Sequence, residues 1–309
     1  MPFPKLPARA AYLRLNNAPR RNALSVPVLK YLHQQLVEYN TPHGELEALF
    51  LPEFSPSALE DGVTQGTVLR GRKDYSWLLN SEEWQKRRGN LPKVLVLRSE
   101  GPVFSSGHDL KELDQQGPRE VQTTFLLCRQ VMSLIRRSPI PVVGVIHGLA
   151  SAAGAQLALT TDLPVAIASA QFQLPGMSIG LPCTSPSTAL SRKLGNAFTY
   201  RMFALAEPVR ADELPAGAVE TVPDEAALEN RVSEIVNKLA NHFPAQAQAM
   251  GKWAYWTQTA IQGGRGDVID SYAMAADWAA VMMGVHTSTE DAKEGRKAFI
   301  EKRAPKWHT

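Results

Sequence analysis

Two short stretches of this 309-residue chain can place unbonded peptide N–H groups around a single oxygen. Ser105-Ser106-Gly107-His108-Asp109 and Ala150-Ser151-Ala152-Ala153-Gly154 each pass through small residues toward a helix start. Peptide donors there lack intrahelical partners, and small side chains let an anion or a developing oxyanion approach the backbone closely. Two such donors on one carbonyl would stabilise an enolate or a tetrahedral oxyanion. Losing one typically costs about 3 to 4 kcal/mol of transition-state stabilisation.

The elements that must hold these bends can be read from the apolar pattern. The second bend lies inside Pro139–Gly180, which opens on the buried-type run Val142, Val143, Val145, Ile146. A small-residue turn over Gly148–Gly154 leads into a helix at Ala155–Thr160, and strands are predicted at Val165–Ala168 and through Phe172. Lys93–Arg98 is a strand ahead of the first bend, and Asp109 opens a helix at Leu110–Leu113.

Upstream, Ala11–Asn16 reads as the first strand, and Ser25 caps a helix to about Tyr39 with Leu29, Leu32 and Leu36 on one face. Thr41–Asn90 breaks the pattern. It is rich in Pro, Gly and charge, with a short helix expected at Ser81–Arg88 and the triplet Lys86-Arg87-Arg88 read as a solvated face.

Downstream, Ser185-Pro186 reads as an N-cap and first helical position for a helix to Leu194 that Gly195 ends. Helices follow at Phe198–Leu205 and Arg210–Leu214, and a small strand at Val219–Val222. From Asp224 the pattern is helical: Glu225–His242, Ala245–Ile261, Val268–Gly284 and Thr289–Lys302, with a turn at Gly263–Gly266. Mixed elements followed by helices alone suggest an α/β core with an all-α C-terminal domain.

Composition excludes several classes. The hydrophobic share of 44% supports a sizeable core, and a net charge of +3 offers no general field for nucleic acid or membrane. No apolar run approaches the ~18 residues of a spanning helix. Cys128 and Cys183 are the two cysteines, far apart, giving neither metal spacing nor a disulfide framework. A soluble intracellular protein is expected. The first acidic residue is Glu38, after Arg9, Arg14, Arg20 and Arg21, as in a transit peptide, yet the first strand leaves little room for a removable leader.

Taken together and in order, the motifs resemble the crotonase (enoyl-CoA hydratase/isomerase) superfamily. Phe104–Leu113 is similar to its F-x-[AS]-G-x-D-[LI]-x-E-[LM] stretch, and His147–Leu157 followed by Asp162 to N-G-x-A-x-G-[GA]-G-x-x-L…D. Asn17–Leu24 resembles N-x-P-x-x-N-A-L, and Phe299–Trp307 resembles F-x-x-K-R-x-P-x-[FW]. The likeness covers Ala11–Tyr39 and Lys93–Thr309 and leaves Thr41–Asn90 as an insertion. It is nearest to a subgroup sharing S-S-G-H-D-L-K-E-L, A-A-G-x-Q-L and a C-terminal P-x-W.

The resemblance implies an α/β fold: a ββα spiral (crotonase/ClpP-like) core over residues 1–205, with residues 41–90 inserted, and an all-α C-terminal oligomerisation domain over 206–309. The implied ligand is an acyl-CoA thioester, with no cofactor beyond its coenzyme A moiety, no metal, no nucleic acid and no membrane. The implied assembly is a homotrimer or a dimer of trimers. The family places members in mitochondria, while the absence of a clear removable leader leaves the cytosol open. By position, the peptide N–H groups of His108 and Ala153 would grip the thioester carbonyl. Arg20, Arg21, Ala23 and Leu24 would border the pantetheine and phosphates. Ser106, Asp109 and Leu110 would line the adenine and thioester bend, and Lys306 would reach coenzyme phosphates, on the same or a neighbouring subunit.

The chain departs from the family where hydratases carry two glutamates. Gln156 and Gly176 occupy those positions. An amide orients water but does not accept a proton usefully near pH 7, and glycine supplies backbone only, so ordinary two-carboxylate hydration is not expected. Restoring both glutamates is expected to create hydration if the geometry is otherwise intact. Among substitute groups, Cys183 reads as a buried inert thiol, His147 as structural, Asp162 as an anchor of the helix-to-strand turn, and Asp109 as a helix cap. The imidazole of His108 is expected to point toward the coenzyme. Two readings follow: an enolate-stabilising enzyme with a non-glutamate or substrate-supplied base, or a non-catalytic acyl-CoA-binding pseudoenzyme or partner subunit. A third, a scaffold with a blocked pocket, predicts no coenzyme A binding.

Overall fold

The computed structural model describes residues 3–55, 75–79, 81–263, 272–273, 276, 280, 283–284, 287 and 290–306. A five-stranded parallel sheet runs in the order β1-β2-β3-β5-β8: β1 is Ala10–Leu15, β2 Val94–Ser99, β3 Val142–Ile146, β5 Leu163–Ile167 and β8 Glu220–Val222. A three-stranded sheet joins β4 (Leu149–Ser151), β6 (Gln171–Gln173) and β7 (Val209–Arg210), with β4 and β6 parallel.

The central strands are apolar on both faces, as a parallel sheet covered on both sides requires. Successive residues alternate between two cores. Leu95, Leu97, Val142 and Ile146 join the larger core with Leu13, Leu15 and the helix Val26–Glu38. Val94, Val96, Val143, Val145 and Val165 face the helix Glu225–Asn241 through Leu228, Val232, Ile235 and Val236. Their i, i+4, i+7, i+8 spacing forms one helical stripe.

The structure corrects the expected reading in four places. Leu149–Ser151, read as turn, is strand β4, and its helix begins at Ala153 rather than Ala155. Three residues are too few to show a period of two. The helix read from Ser185 spans Thr184–Leu194 with Cys183 at the cap position, and the Ser185 hydroxyl caps nothing. The helix read at Arg210–Leu214 is β7 followed by a 3-10 turn at Ala211–Glu213. Strands β7 and β8 therefore carry both sheets into the segment assigned to the all-α C-terminal domain. The turn at 264–266 and most of the helix expected over Val268–Gly284 lie outside the described residues.

The fourth correction falls in the insertion, whose helix at Ser81–Arg88 stands where expected. Of its basic triplet, Lys86 is solvated as expected, but Arg87 and Arg88 are not. Arg88 is 2% exposed, with its guanidinium 5.5 Å from the Trp84 ring centroid, and burial lowers its pKa to about 9. Arg87 pairs with Glu45. Leu49, Leu51, Phe54, Trp77 and Trp84 form a separate small core against Ala245 and Ala249 of the helix Ala245–Gly263. Nothing from the described part of the insertion lines the main cavity. Among the described residues no helix is long and apolar enough to cross a membrane.

Candidate active site

The two bends are knitted together by backbone bonds. Ser105 N–H donates to Leu149 O at 3.0 Å, and Ser151 N–H donates to Ser105 O at 2.9 Å. Gly107, at φ +86°, has no room for a Cβ: it would lie 2.9 Å from Ser151 O and 3.4 Å from the Ala153 nitrogen. A Cβ on Gly154 would lie 2.8 Å from Ser105 Cβ. Small residues thus let the bends lie against one another, which the spacing alone could not establish.

The segment Arg20–Leu24 clamps the first bend from outside. Ser106 N–H donates to Arg21 O at 3.0 Å, Leu24 N–H to Gly107 O at 2.7 Å, and Ser105 Oγ–H to Asn22 O at 2.8 Å. Asn22 donates from its carboxamide to Glu100 O at 2.7 Å and Val103 O at 2.8 Å, fixing the strand exit ahead of the bend. Sequence reasoning did not single out Asn22; its place in the first motif was the available signal.

A cavity of about 600 Å³ opens along this junction. His108, Ala153 and Gly176 line it, as do Arg20, Arg21, Ala23, Ser106, Asp109 and Leu110. Among the described residues the peptide N–H groups of His108 and Ala153 bond to no protein acceptor, whereas those of Ser105, Ser106, Ser151 and Ala152 all do. Ala152 sits at φ +48°, ψ −118°. That region is sparsely populated for a residue with a Cβ and costs on the order of 1–3 kcal/mol. The strain turns the chain from β4 so that the Ala153 amide comes first in the helix Ala153–Thr160.

Three predicted residues are not brought to the cavity. Leu24 is fully buried in the core, and it is its carbonyl that meets His108. Lys306, exposed after the C-terminal helix Glu290–Glu301, is absent from the cavity wall, and its N–H donates to a Glu294 carboxylate oxygen at 2.7 Å. Gln156 is 1% exposed and absent from the cavity wall; both of its amide atoms lie 3.4 Å from Ser185 Oγ, and Ser185 does line the cavity. The restoration of hydration expected at the sequence level meets an obstacle at Gly176. A Cβ there would collide with Leu181 O and lie 2.8 Å from Cys183 Sγ.

Burial makes His108 and Cys183 poor bases. His108 Nδ1 lies 3.3 Å from Leu24 O, so that nitrogen carries the proton, and the ring meets Phe125 edge-on at 4.8 Å. Burial lowers its pKa to about 4, the Leu24 carbonyl offsetting part of the effect. The imidazole is neutral at pH 7. Burial likewise pushes the Cys183 thiol up to about 12. Asp109 accepts from the N–H groups of Lys111 and Glu112, each at 3.2 Å, and pairs with Arg20 at 3.0 Å. Asp162 accepts from Val142 N–H and Lys252, and His147 is tied to Gly101 O at 2.6 Å; neither reaches the cavity.

A sequence profile described as enoyl-CoA hydratase/isomerase matches residues 85–309. The chain belongs to the enoyl-CoA hydratase/isomerase family. It is 37% identical over 217 residues to the rat enoyl-CoA hydratase domain-containing protein 3, mitochondrial, covering 70% of this chain and 69% of that one. A probable enoyl-CoA hydratase of Bacillus subtilis is 28% identical over 93% of this chain and 98% of its own. The crystal structure of the human enoyl-CoA hydratase domain-containing protein 3 superposes with a TM-score of 0.61 at 28% identity, over 98% of each chain. Within the family, the chain groups with these domain-containing protein 3 members. A methylmalonyl-CoA decarboxylase, at 20% identity and TM-score 0.68 over 97% of this chain and 95% of that one, shares the fold.

Proposed function

We propose that the cavity binds an acyl-CoA thioester and that the peptide N–H groups of His108 and Ala153 hold its carbonyl oxygen, stabilising the enolate that forms when the α-carbon loses a proton. The observation that carries this reading is that both unbonded donors stand on one cavity, in bends that Gly107 and Gly154 pack together. Preorganised donors of this kind act with little reorganisation. Arg21 and Lys111 stand on the same wall, available to phosphates, beside Arg20, which pairs with Asp109. Leu113, Phe125, Ile179, Leu181 and Met283 offer apolar surface to an acyl chain.

A second reading is favoured by one observation: the carboxylate and thiol groups on the wall are spent or protonated, and Gln156 is turned to Ser185. An acyl-CoA-binding protein without turnover would present such a cavity. Calorimetric titration with butyryl-CoA tests binding, and exchange of its α-protons in deuterated water tests enolate formation. Binding with exchange supports the enzyme, binding without exchange the pseudoenzyme, and no binding removes both. Trimeric or hexameric assembly and a mitochondrial place belong to the same proposal, by likeness to the relatives. Light scattering and fractionation test them.

A further inference from the structure

The cavity wall carries a polar pair that thioester binding leaves unused. Ser151 is 3% exposed, and the Gln173 side-chain nitrogen lies 3.1 Å from its hydroxyl oxygen. Both residues line the cavity. Parallel register sets Ser151 opposite Gln173 across β4 and β6, and Ala152 N–H donates to Gln173 O at 3.0 Å. The pair is therefore fixed by two strands, two residues before the Ala153 peptide.

Its unspent bonding capacity defines a ligand. With the Gln173 amide donating to Ser151 Oγ, the serine O–H remains to donate and the Gln173 side-chain oxygen remains to accept. Among the described residues neither has another protein partner. Turning the carboxamide over exchanges the roles and leaves the same sum of donor and acceptor. A hydroxyl is the smallest group that satisfies both at once. A keto oxygen satisfies only the donor, and a methylene pairs with neither the buried Ser151 nor the half-buried Gln173. Neither residue is charged, so the pair is not built for a carboxylate.

We propose that Ser151 and Gln173 form a specificity subsite for a hydroxyl on the acyl group. The proposal rests on the acyl-CoA reading above and adds a preference among thioesters.

The test is calorimetric titration of the full chain with butyryl-CoA, 2-hydroxybutyryl-CoA and 3-hydroxybutyryl-CoA. One of the hydroxy thioesters should bind at least about tenfold more tightly than butyryl-CoA, the difference one satisfied hydrogen-bonding group makes. In Ser151→Ala and in Gln173→Met, that ratio should fall to within about twofold of one, with butyryl-CoA affinity retained. Thermal unfolding confirms that each variant is folded. A wild-type ratio near one, or a preference that survives in both variants, overturns the subsite and leaves thioester binding standing. Failure of all three thioesters to bind wild type overturns the acyl-CoA reading, and the subsite with it.

Discussion

Gln156 and Ser185 meet side chain to side chain at 3.4 Å, with the serine on the cavity wall and the glutamine behind it. Gln156, at one of the two positions where the family resemblance implies a glutamate, is thus kept off the cavity wall. At the other such position, Gly176 lines the cavity, but the space a Cβ would need is filled by Leu181 O and Cys183. The double variant Gln156→Glu, Gly176→Glu should therefore show no hydration of crotonyl-CoA above wild type. The Gly176→Glu change should cost about 1–3 kcal/mol of stability through overpacking. A hydration assay beside urea unfolding checks both, and a stable double variant that hydrates would refute the account.

The Ala153 amide can be removed with little disturbance to its helix. Ala153 is the first helical residue, where proline is accommodated. The strained Ala152 before it favours a glycine partner change. Ala152→Gly alone should raise stability by about 1 kcal/mol by relieving the positive φ. Adding Ala153→Pro should then lower α-proton exchange of a bound thioester by about a hundredfold or more. Unaltered exchange in the folded double variant would take Ala153 out of the mechanism.

His108 gives a pH signature. Its folded pKa, about 4, lies below the ordinary value of 6.5, so the unfolded chain binds more protons between those pH values. The stability it contributes is complete above pH 6.5 and is lost as pH falls toward 4, at no more than about 1.4 kcal/mol per pH unit. Urea midpoints from pH 7 to 4 should therefore fall more steeply in wild type than in His108→Leu. Parallel curves would show that the ring is not buried neutral.

Lys252 is buried and its ammonium reaches the Asp162 carboxylate at 2.8 Å, in the turn between the helix Ala153–Thr160 and β5. Removing one member of such a pair strands the other. Lys252→Met should cost about 3 kcal/mol or more, measured by urea unfolding. A cost below about 1 kcal/mol would mean that Val142 N–H and the nearby Lys193 ammonium suffice for Asp162.

Much of the fold was legible in the chain itself. Continuous apolar runs marked β2 and β3, the leucine stripe marked the helix Val26–Glu38, and Asp109 marked its helix start. Strand β4 was not legible because three residues of small side chain carry no periodicity, and its pairing partner lies 22 positions away. The bends that carry the site were visible as motifs. What was not visible was the direction Gln156 takes, since Ser185 lies on a separate helix, or the enclosure of Gly176, which depends on the loop at Leu181–Cys183. Arg88 was misread for the same reason: a basic triplet shows charge, while the aromatic rings that cover it are set by tertiary packing.

The insertion's small core has a consequence for how the chain is made. Trp253 Nε1–H donates to Glu53 O across 200 positions, and Gln246 donates to Leu78 O across 168. During synthesis Trp77 and Trp84 emerge long before the helix that covers them, so the nascent chain displays a sticky aromatic surface until its last quarter leaves the ribosome. Ribosome-bound chains halted near residue 241 should recruit holdase chaperones, and release of the full length should shed them.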